Sequence, residues 1–414
     1  MTEKIPVLSS LASSDEIKEY PLSSQGHSFR VFSSIESVGD DWEIAQPQKN
    51  IYLQRPILQA IELAPPKGIV PTYLIFYKNS EPIGVAYCQV MTFKTNENVQ
   101  DMEGRGALKN IGSSIKGFLA KRLEYKLLVC GNLLFTGEHG HHFIKGSLGG
   151  ANEASHLDEA LKKTQLYWKE KKVKIDGVFI KDIGDAEHHC RKDLLNQSFR
   201  EFLFHPNMVL YVRPHWHSFE DYMQDISSKY RVRAKKAFKC GKGLERIELD
   251  AVQLKSHVDR LYELYQGVML TAGFNMVVLH ENYIVKLKEN LGDRFKVTGY
   301  YIDGELIGYR TNIHNYDELE AHFLGYDQSF NRNYQVYMNM LLDSLKLGIS
   351  NKVKRIVFAR TAMEIKSTIG AVPEDLYCYI RANNKLMNFI MAPILEYFRP
   401  ADDWVQRRPF KDAK

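Results

Sequence analysis

The sequence predicts an α+β protein of two similar halves, each with a mixed, mostly antiparallel sheet. Two observations carry that expectation. Residues 295–327 read as a three-strand meander, because Asp303-Gly304 separates two apolar, β-rich runs and a type I′ turn needs positive φ at both central residues. A second turn falls at Asn315-Tyr316-Asp317. A helix follows over 333–347, with Val336, Met340, Leu341 and Leu345 at helical spacing, and a short apolar strand runs from Arg355 to Ala359. The second observation is repetition. The order strand, helix, three strands, helix, strand occurs before Arg213-Pro214-His215 and again after it, as a duplication would leave it.

In order along the chain, residues 1–26 are a Ser-rich, polar lead-in. The first domain is expected over 27–213. Its elements are a strand at 27–33, a polar, turn-like stretch at 42–51 and a helix at 52–63. Strands at 71–77 and 82–93 turn at Asn79-Ser80-Glu81. Residues 94–120 are Gly-rich and polar, an insertion or surface helix. A buried strand at 125–135 leads into a Gly- and His-rich loop at 136–150, then a helix at 153–170, a strand at 177–182, a helix at 187–202 and a closing strand at 207–212. The second domain, 214–414, opens with a basic helix at 227–242 and a strand at 244–249. Helices at 258–270 and 281–291 precede the meander, and an apolar helix ends the pattern at 385–398.

Composition excludes more than it selects. A net charge of +5 over 414 residues makes no global case for nucleic acid, so local clusters must carry it. Five cysteines lie scattered, without a CxxC pair, which argues against structural zinc or a disulfide framework and fits a reducing compartment. His139, His141 and His142 lack a carboxylate or cysteine at ligand spacing, so no metal is expected. The start has no apolar signal-peptide core, and no run approaches the ~18 to 20 apolar residues of a spanning helix. The expected location is cytoplasmic, with peripheral attachment to the inner membrane face left open.

The side-chain period of two organises the meander. If 310 faces 322 and 312 faces 320, then Arg310, Asn312, Glu320 and His322 share one face. Tyr309, Thr311, Ile313, Leu319, Ala321 and Phe323 share the other. A one-residue slip would bury Glu320 and Arg310 against the core. This polar face is the candidate site, against the plain alternative of a solvated face.

The order of elements resembles tandem GNAT (Gcn5-related acyltransferase) folds, as in the Fem-like and peptidoglycan-biosynthesis GNAT proteins of bacteria. The resemblance spans about 27–400. Asn50-Ile-Tyr-Leu with Leu58-Gln-Ala-Ile-Glu62 resembles an N-terminal pattern of that group. The run Ser228-Lys-Tyr-Arg-Val-Arg-Ala-Lys-Lys-Ala resembles its basic helix, and Ala321-His-Phe its His-Phe segment. Glu364-Ile-Lys366 after Arg360-Thr361 resembles its Gly-Glu-His-Lys segment, with Met363 and Ile365 replacing the glycine and histidine. The resemblance implies two tandem GNAT-like domains and acyl or aminoacyl transfer to an amine. The donor would be acyl-CoA, acyl carrier protein or, alternatively, aminoacyl-tRNA. A long-chain amino lipid is among the acceptors it implies, and no cofactor stays bound.

Such a transfer needs a base, since a free alkyl ammonium has a pKa of about 10. It also needs donors for the tetrahedral oxyanion and an acid for the leaving group. His322 is the candidate base, Glu320 its alternative, and Tyr326 the candidate acid. Arg310, Asn312, Arg332, Arg360, Thr361, Glu364 and Lys366 are candidates to hold donor or acceptor. The junction Asp327 to Tyr334 lacks the glycines of an acetyl-CoA loop, whereas the loop at 136–150 has them but reads as a lid. Lys235 and Lys236 stand in a run of seven basic residues, from Lys229 to Lys242, that offers itself to tRNA phosphate, CoA phosphate or an anionic membrane surface. A solvated charged helix is the bland alternative for that run. A non-catalytic binding protein with this fold is the rival from a different class.

Overall fold

The computed structural model describes residues 17–94, 124–184, 190–203, 205–271, 277–389 and 404–412. Most of the expected insertion at 94–120 and of the helix at 385–398 lies outside them. The chain forms two compact units. One comprises Met1–Phe204, Gly273–His280 and Leu376–Pro400, and the other His205–Ala272, Glu281–Asp375 and Ala401–Lys414.

In chain order the strands are β1 (Lys18–Pro21), β2 (His27–Phe32), β3 (Ile69–Lys78), β4 (Glu81–Lys94), β5 (Glu124–Cys130), β6 (His141–Phe143), β7 (Gly177–Ile183) and β8 (Arg200–Leu203). They continue as β9 (Asn207–Tyr211), β10 (Glu245–Glu248), β11 (Phe295–Ile302), β12 (Glu305–Asn315), β13 (Glu318–Tyr326), β14 (Arg355–Val357), β15 (Val372–Glu374) and β16 (Tyr377–Ala382). The first unit's sheet runs β1-β2-β3-β4-β5-β7-β16-β8, with β6 on β4. The second runs β10-β11-β12-β13-β14-β9-β15. Each has one parallel pair, β5 with β7 and β13 with β14, and is otherwise antiparallel. The α+β class with mixed, mostly antiparallel sheets is as the sequence predicts.

The expected boundary at 213/214 is displaced. Strand β9 does not close the first sheet. It lies inside the second, between β14 and β15, and the late strand β16 lies inside the first, between β7 and β8. Met208, Val209 and Leu210 are all fully buried, which is the signature of a strand covered on both faces and paired on both edges. Sequence order alone places β9 with the elements before it, and the hydrogen-bond ladder overrides that.

Local chemistry explains most elements. Asn79 and Ser80, at φ 49° and 70°, and Asp303 and Gly304, at 50° and 81°, take the left-handed conformations of tight hairpin turns. Asn152 caps the helix Glu153–Glu170 by accepting from the Ser155 amide at 2.9 Å. The expected helix at 187–202 divides into the helix Arg191–Asn196 and strand β8. The expected helix at 333–347 divides into Gln328–Tyr334 and Val336–Ser350, because Gln335 is left-handed at φ 46°.

In the second unit the helices Phe219–Asp225, Ser228–Cys240 and Val336–Ser350 bury an apolar cluster against one sheet face. Val258–Thr271 and Tyr283–Leu291 cover the other. Gly325 marks close contact there, since a Cβ would sit 2.6 Å from the backbone of Leu264 and Tyr265. In the first unit Glu153–Glu170 covers Phe29, Leu74, Ala86, Cys88 and Cys130.

His27 and His156 meet edge-on within this first unit, ring centroids 4.9 Å apart, both buried. Burial, then the charges of His156 and Lys78, lower the His27 pKa below 6.5. Between 6.5 and that lowered value the unfolded chain binds the proton that the folded chain refuses. This contribution to stability is therefore whole above 6.5 and is lost as the pH falls below it. His27→Phe should shrink the fall in Tm between about pH 7.5 and about pH 5.5. An unchanged fall would remove His27 from the account.

Candidate active site

The site is built on β13. Near the second turn the register is Asn315 with Glu318, Ile313 with Glu320 and Asn312 with Ala321. One step on, Arg310 pairs with Leu324, so β13 carries one extra residue. The bulge places His322 and Phe323 side by side on one face, their rings 4.5 Å apart. Thr311 closes it, accepting from the Phe323 amide at 3.0 Å and donating to the Phe323 carbonyl at 2.7 Å. Thr311 is thus the polar residue that the otherwise apolar face required.

The turn register and the bulge together divide the expected site. Glu320 and His322 stay together, with Glu320 Oε1 3.6 Å from His322 Nδ1 and both side chains under 5% exposed. The Tyr283 hydroxyl meets His322 Nε2 at 3.0 Å. Arg310 and Asn312 do not join them. They face the helix Val336–Ser350, because the turn at Tyr316-Asp317 sets a register one residue from the expected one: Asn312 stands opposite Ala321 and Ile313 opposite Glu320, so 310 and 312 share the other face. Arg310 donates to the Tyr300 hydroxyl at 3.0 Å and to Asn312, and both reach Ser344 Oγ at 3.3 Å. Tyr300 donates in turn to Asp343 at 2.9 Å, and Arg246 donates to the same carboxylate at 2.7 Å. Arg310 and Asn312 are parts of a buried scaffold. Tyr326 also leaves the His322 face. It stacks on Tyr337, 6.1 Å away, and burial raises its hydroxyl pKa.

Strand β14 pairs with β13 only over Glu318 to Glu320. Ala321 to Leu324 are partly exposed although the His322 side chain is 3% exposed, so main chain meets the open space there. After β14, Ala359 and Ala362 take left-handed φ of 55° and 52°, bracketing half-buried Arg360 and exposed Thr361. Lys366 is not at a cleft mouth as expected. It is buried, and its Nζ donates to the carbonyls of Phe358 and Ala359. Burial lowers its pKa to about 7.

Glu364 does face open space. With Arg233, Lys236, Gln335, Met338, Ile365 and Thr368 it lines a cleft of about 430 Å³ beside the start of Val336–Ser350. Arg407 donates to Glu364 Oε1 at 3.0 Å. Lys235 and Lys236 are both exposed on the helix Ser228–Cys240, but only Lys236 lines the cleft; Arg332 is exposed on Gln328–Tyr334. The missing glycines at 327–334 have a reason. The stretch is helical, capped by Asp327, which accepts from the Ser329 amide at 2.8 Å.

The loop at 136–150 is held down. Gly137 N donates to Asp182 at 3.0 Å, Gly184 N to Glu138 at 2.6 Å, and Asn50 Nδ2 to the Glu138 carbonyl at 3.0 Å. Its histidines diverge: His139 lies tilted against Tyr52, ring centroids 4.1 Å apart, and His141 meets Glu153 at 3.2 Å. His142, next to His141 on β6, points to the other sheet face. Sequence reasoning missed Tyr283, Gln335, Met338, Ile365, Thr368 and Arg407. None had a local signal, since each is brought in by tertiary packing.

No protein-family model matches this sequence, and no curated protein matches it either. Among solved structures the chain is similar to FemX, at 9% identity and TM-score 0.50, covering 84% of this chain and 95% of that one. It is also similar to a tandem GNAT protein from the clavulanic acid biosynthesis pathway, solved without AcCoA, at 8% identity and TM-score 0.50, covering 89% and 99%. The chain therefore has the tandem GNAT, Fem-like fold. Among the described residues no helix is long and apolar enough to cross a membrane.

Lys366 gives this site a measurable signature. Between pH 7 and 10.5 the unfolded chain holds a proton that the folded chain has released, so its contribution to stability grows as pH rises through that window. The difference in unfolding free energy between wild type and Lys366→Met should increase across the window. A difference independent of pH would show a lysine that stays charged.

Proposed function

We propose that the second unit moves an acyl or aminoacyl group from an activated, phosphate-bearing donor to an amine. The observation that carries this is the parting of β13 from β14 beside His322, in a unit that also has a cleft lined by two cations. Main-chain groups of 321–324 offer an extended donor a strand-like partner. Arg233, Lys236 and the start of the helix Val336–Ser350 favour its phosphates.

His322 takes the proton of the acceptor ammonium. Glu320 lies on its Nδ1 side and stabilises the imidazolium that forms, while Tyr283 on the Nε2 side holds the ring and passes the proton. Arg360 and Thr361 stand at the end of β14, where the acceptor and the leaving group meet solvent. The donor in this reading is an acyl thioester, acyl-CoA or acyl carrier protein.

Aminoacyl-tRNA is the second reading. It is favoured by the exposure of Lys229, Arg233, Lys235, Lys236, Lys239 and Lys242 on or next to one helix. The same cations suit an anionic membrane surface on the cytoplasmic side, within reach of a long-chain amino lipid acceptor.

His322→Gln should lower turnover by roughly 10²- to 10⁴-fold with little loss of stability, and should remove the imidazole's acid limb from the pH–rate profile. Turnover within about twofold of wild type, with the limb intact, passes the role to Glu320.

Arg233→Glu with Lys236→Glu should weaken donor binding and steepen no unfolding transition, because both side chains are exposed. Lys235→Glu, off the cleft, should change CoA binding little. Titration with CoA, acyl carrier protein and tRNA against salt identifies the donor. Wild-type affinity for all three in the double variant would leave the cleft without a role.

A further inference from the structure

We propose that Cys88 and Cys130 form a reversible disulfide in the first unit, with His141 and Glu153 as the relay that removes the thiol proton. Cys88 and Cys130 are direct partners in the β4–β5 ladder. The Gly131 amide donates to the Tyr87 carbonyl at 3.0 Å, which makes 87 and 131 a hydrogen-bonded pair. By alternation 88 and 130 are a non-hydrogen-bonded pair, with Cα atoms about 4.5 Å apart, inside the range of roughly 4.4 to 6.8 Å that a disulfide spans.

The relay arrives on β6. His141 is opposite Ala86, two residues from Cys88, so all three side chains share the face covered by the helix Glu153–Glu170. His141 Nε2 lies 3.2 Å from Glu153 Oε1, at the first residue of that helix. The cluster leads outward: Cys130 is fully buried, while the side chains of His141 and Glu153 are 9% and 24% exposed. A hydrogen bond from the Cys88 thiol, aided by His141 and against burial, lowers the Cys130 pKa. Burial raises that of Cys88. Of the two thiols held together, Cys130 is the one whose proton is the easier to remove. Spacing in the sequence hides the group, because its four members come from β4, β5, β6 and a helix.

The co-reactant is a peroxide. Cys130 gives its proton to His141, and its thiolate attacks one peroxide oxygen. The O–O bond breaks, and hydroxide leaves as water with the imidazolium proton. The Cys88 sulfur then attacks the Cys130 sulfenic acid, the S–O bond breaks, and a second water carries off the Cys88 proton. Two thiols and one peroxide give one disulfide and two waters.

The test uses the full chain, reduced, exposed to graded hydrogen peroxide, blocked with N-ethylmaleimide in denaturant and digested without reductant. Mass spectrometry should find the Cys88 and Cys130 peptides joined, two hydrogens lighter than their sum and separated by dithiothreitol. The pair should form before Cys190 or Cys378, the other buried thiols, react. His141→Gln should slow its formation by about tenfold or more. Cys88→Ser should leave Cys130 as a sulfenic acid that dimedone captures. Absence of the joined pair at doses that oxidise the half-buried Cys240 overturns the disulfide. Formation at the wild-type rate in His141→Gln overturns the relay. If circular dichroism shows Cys88→Ser unfolded, the wild-type cross-link decides alone.

Discussion

One parallel strand pair in an otherwise antiparallel ladder sets the geometry of each unit. Parallel neighbours cannot be joined by a hairpin and need a crossover. The helix Glu153–Glu170 supplies it between β5 and β7, and Val336–Ser350 supplies it between β13 and β14. In the second unit the parallel ladder lasts three residues. Beyond it the chain after β14 is drawn to β9: Phe358 N donates to the Met208 carbonyl at 2.8 Å, and Met208 N to the Ala359 carbonyl at 3.1 Å. Meanwhile the bulge turns β13 back onto β12. The opening beside His322 follows from these two pulls, and one of them comes from a strand that precedes the rest of its sheet in sequence.

The first unit also sets antiparallel strands on both sides of one parallel pair, with β1 and β6 added, but closes the corresponding place. After Cys130 the chain turns at Gly131, with φ 138°. Lys181 Nζ donates to the Phe135 carbonyl at 2.7 Å and pairs with Asp182, which also accepts from Gly137 N. Both side chains are almost wholly buried, so removing one partner strands a charge at a cost of about 3 to 5 kcal/mol. The loop at 136–150 is therefore fixed where a movable cover was expected.

How much was legible follows the range of the interaction. Turns written in two residues, such as Asp303-Gly304, were readable, as was the helix at 153–170. The pairing of Glu320 with His322 was readable too, since a period of two survives any register. What failed depends on partners far along the chain. A turn centred one half-step later than expected puts Asn312 opposite Ala321, so Arg310 and Asn312 take the other face, and the bulge adds one residue that no pattern announces and moves Tyr326 off the His322 face. The exchange of β9 and β16 is invisible, because an apolar strand does not say which sheet it enters. The inward turn of Lys366 depends on two carbonyls that are exposed to it only once β14 has paired.

The misplaced arginine still bears on function, through packing. Asp343, Tyr300, Arg246 and Arg310 tie the helix Val336–Ser350 to β10, β11 and β12. Arg246 also donates to Asn339 at 2.9 Å, and Asn339 donates to the Ala237 carbonyl of the basic helix at 3.0 Å. Gln335 and Met338, at the start of one helix, and Arg233 and Lys236, on the other, are among the residues that line the cleft. The network therefore sets the distance between the two walls without touching anything inside. Truncating Arg310 leaves the Tyr300 hydroxyl and the Asn312 amide oxygen short of a donor in a buried setting, which destabilises more than the pair itself contributes. An inactive Arg310 variant thus reports on the walls of the site, and only variants at His322, Glu320 or the cleft cations report on its chemistry.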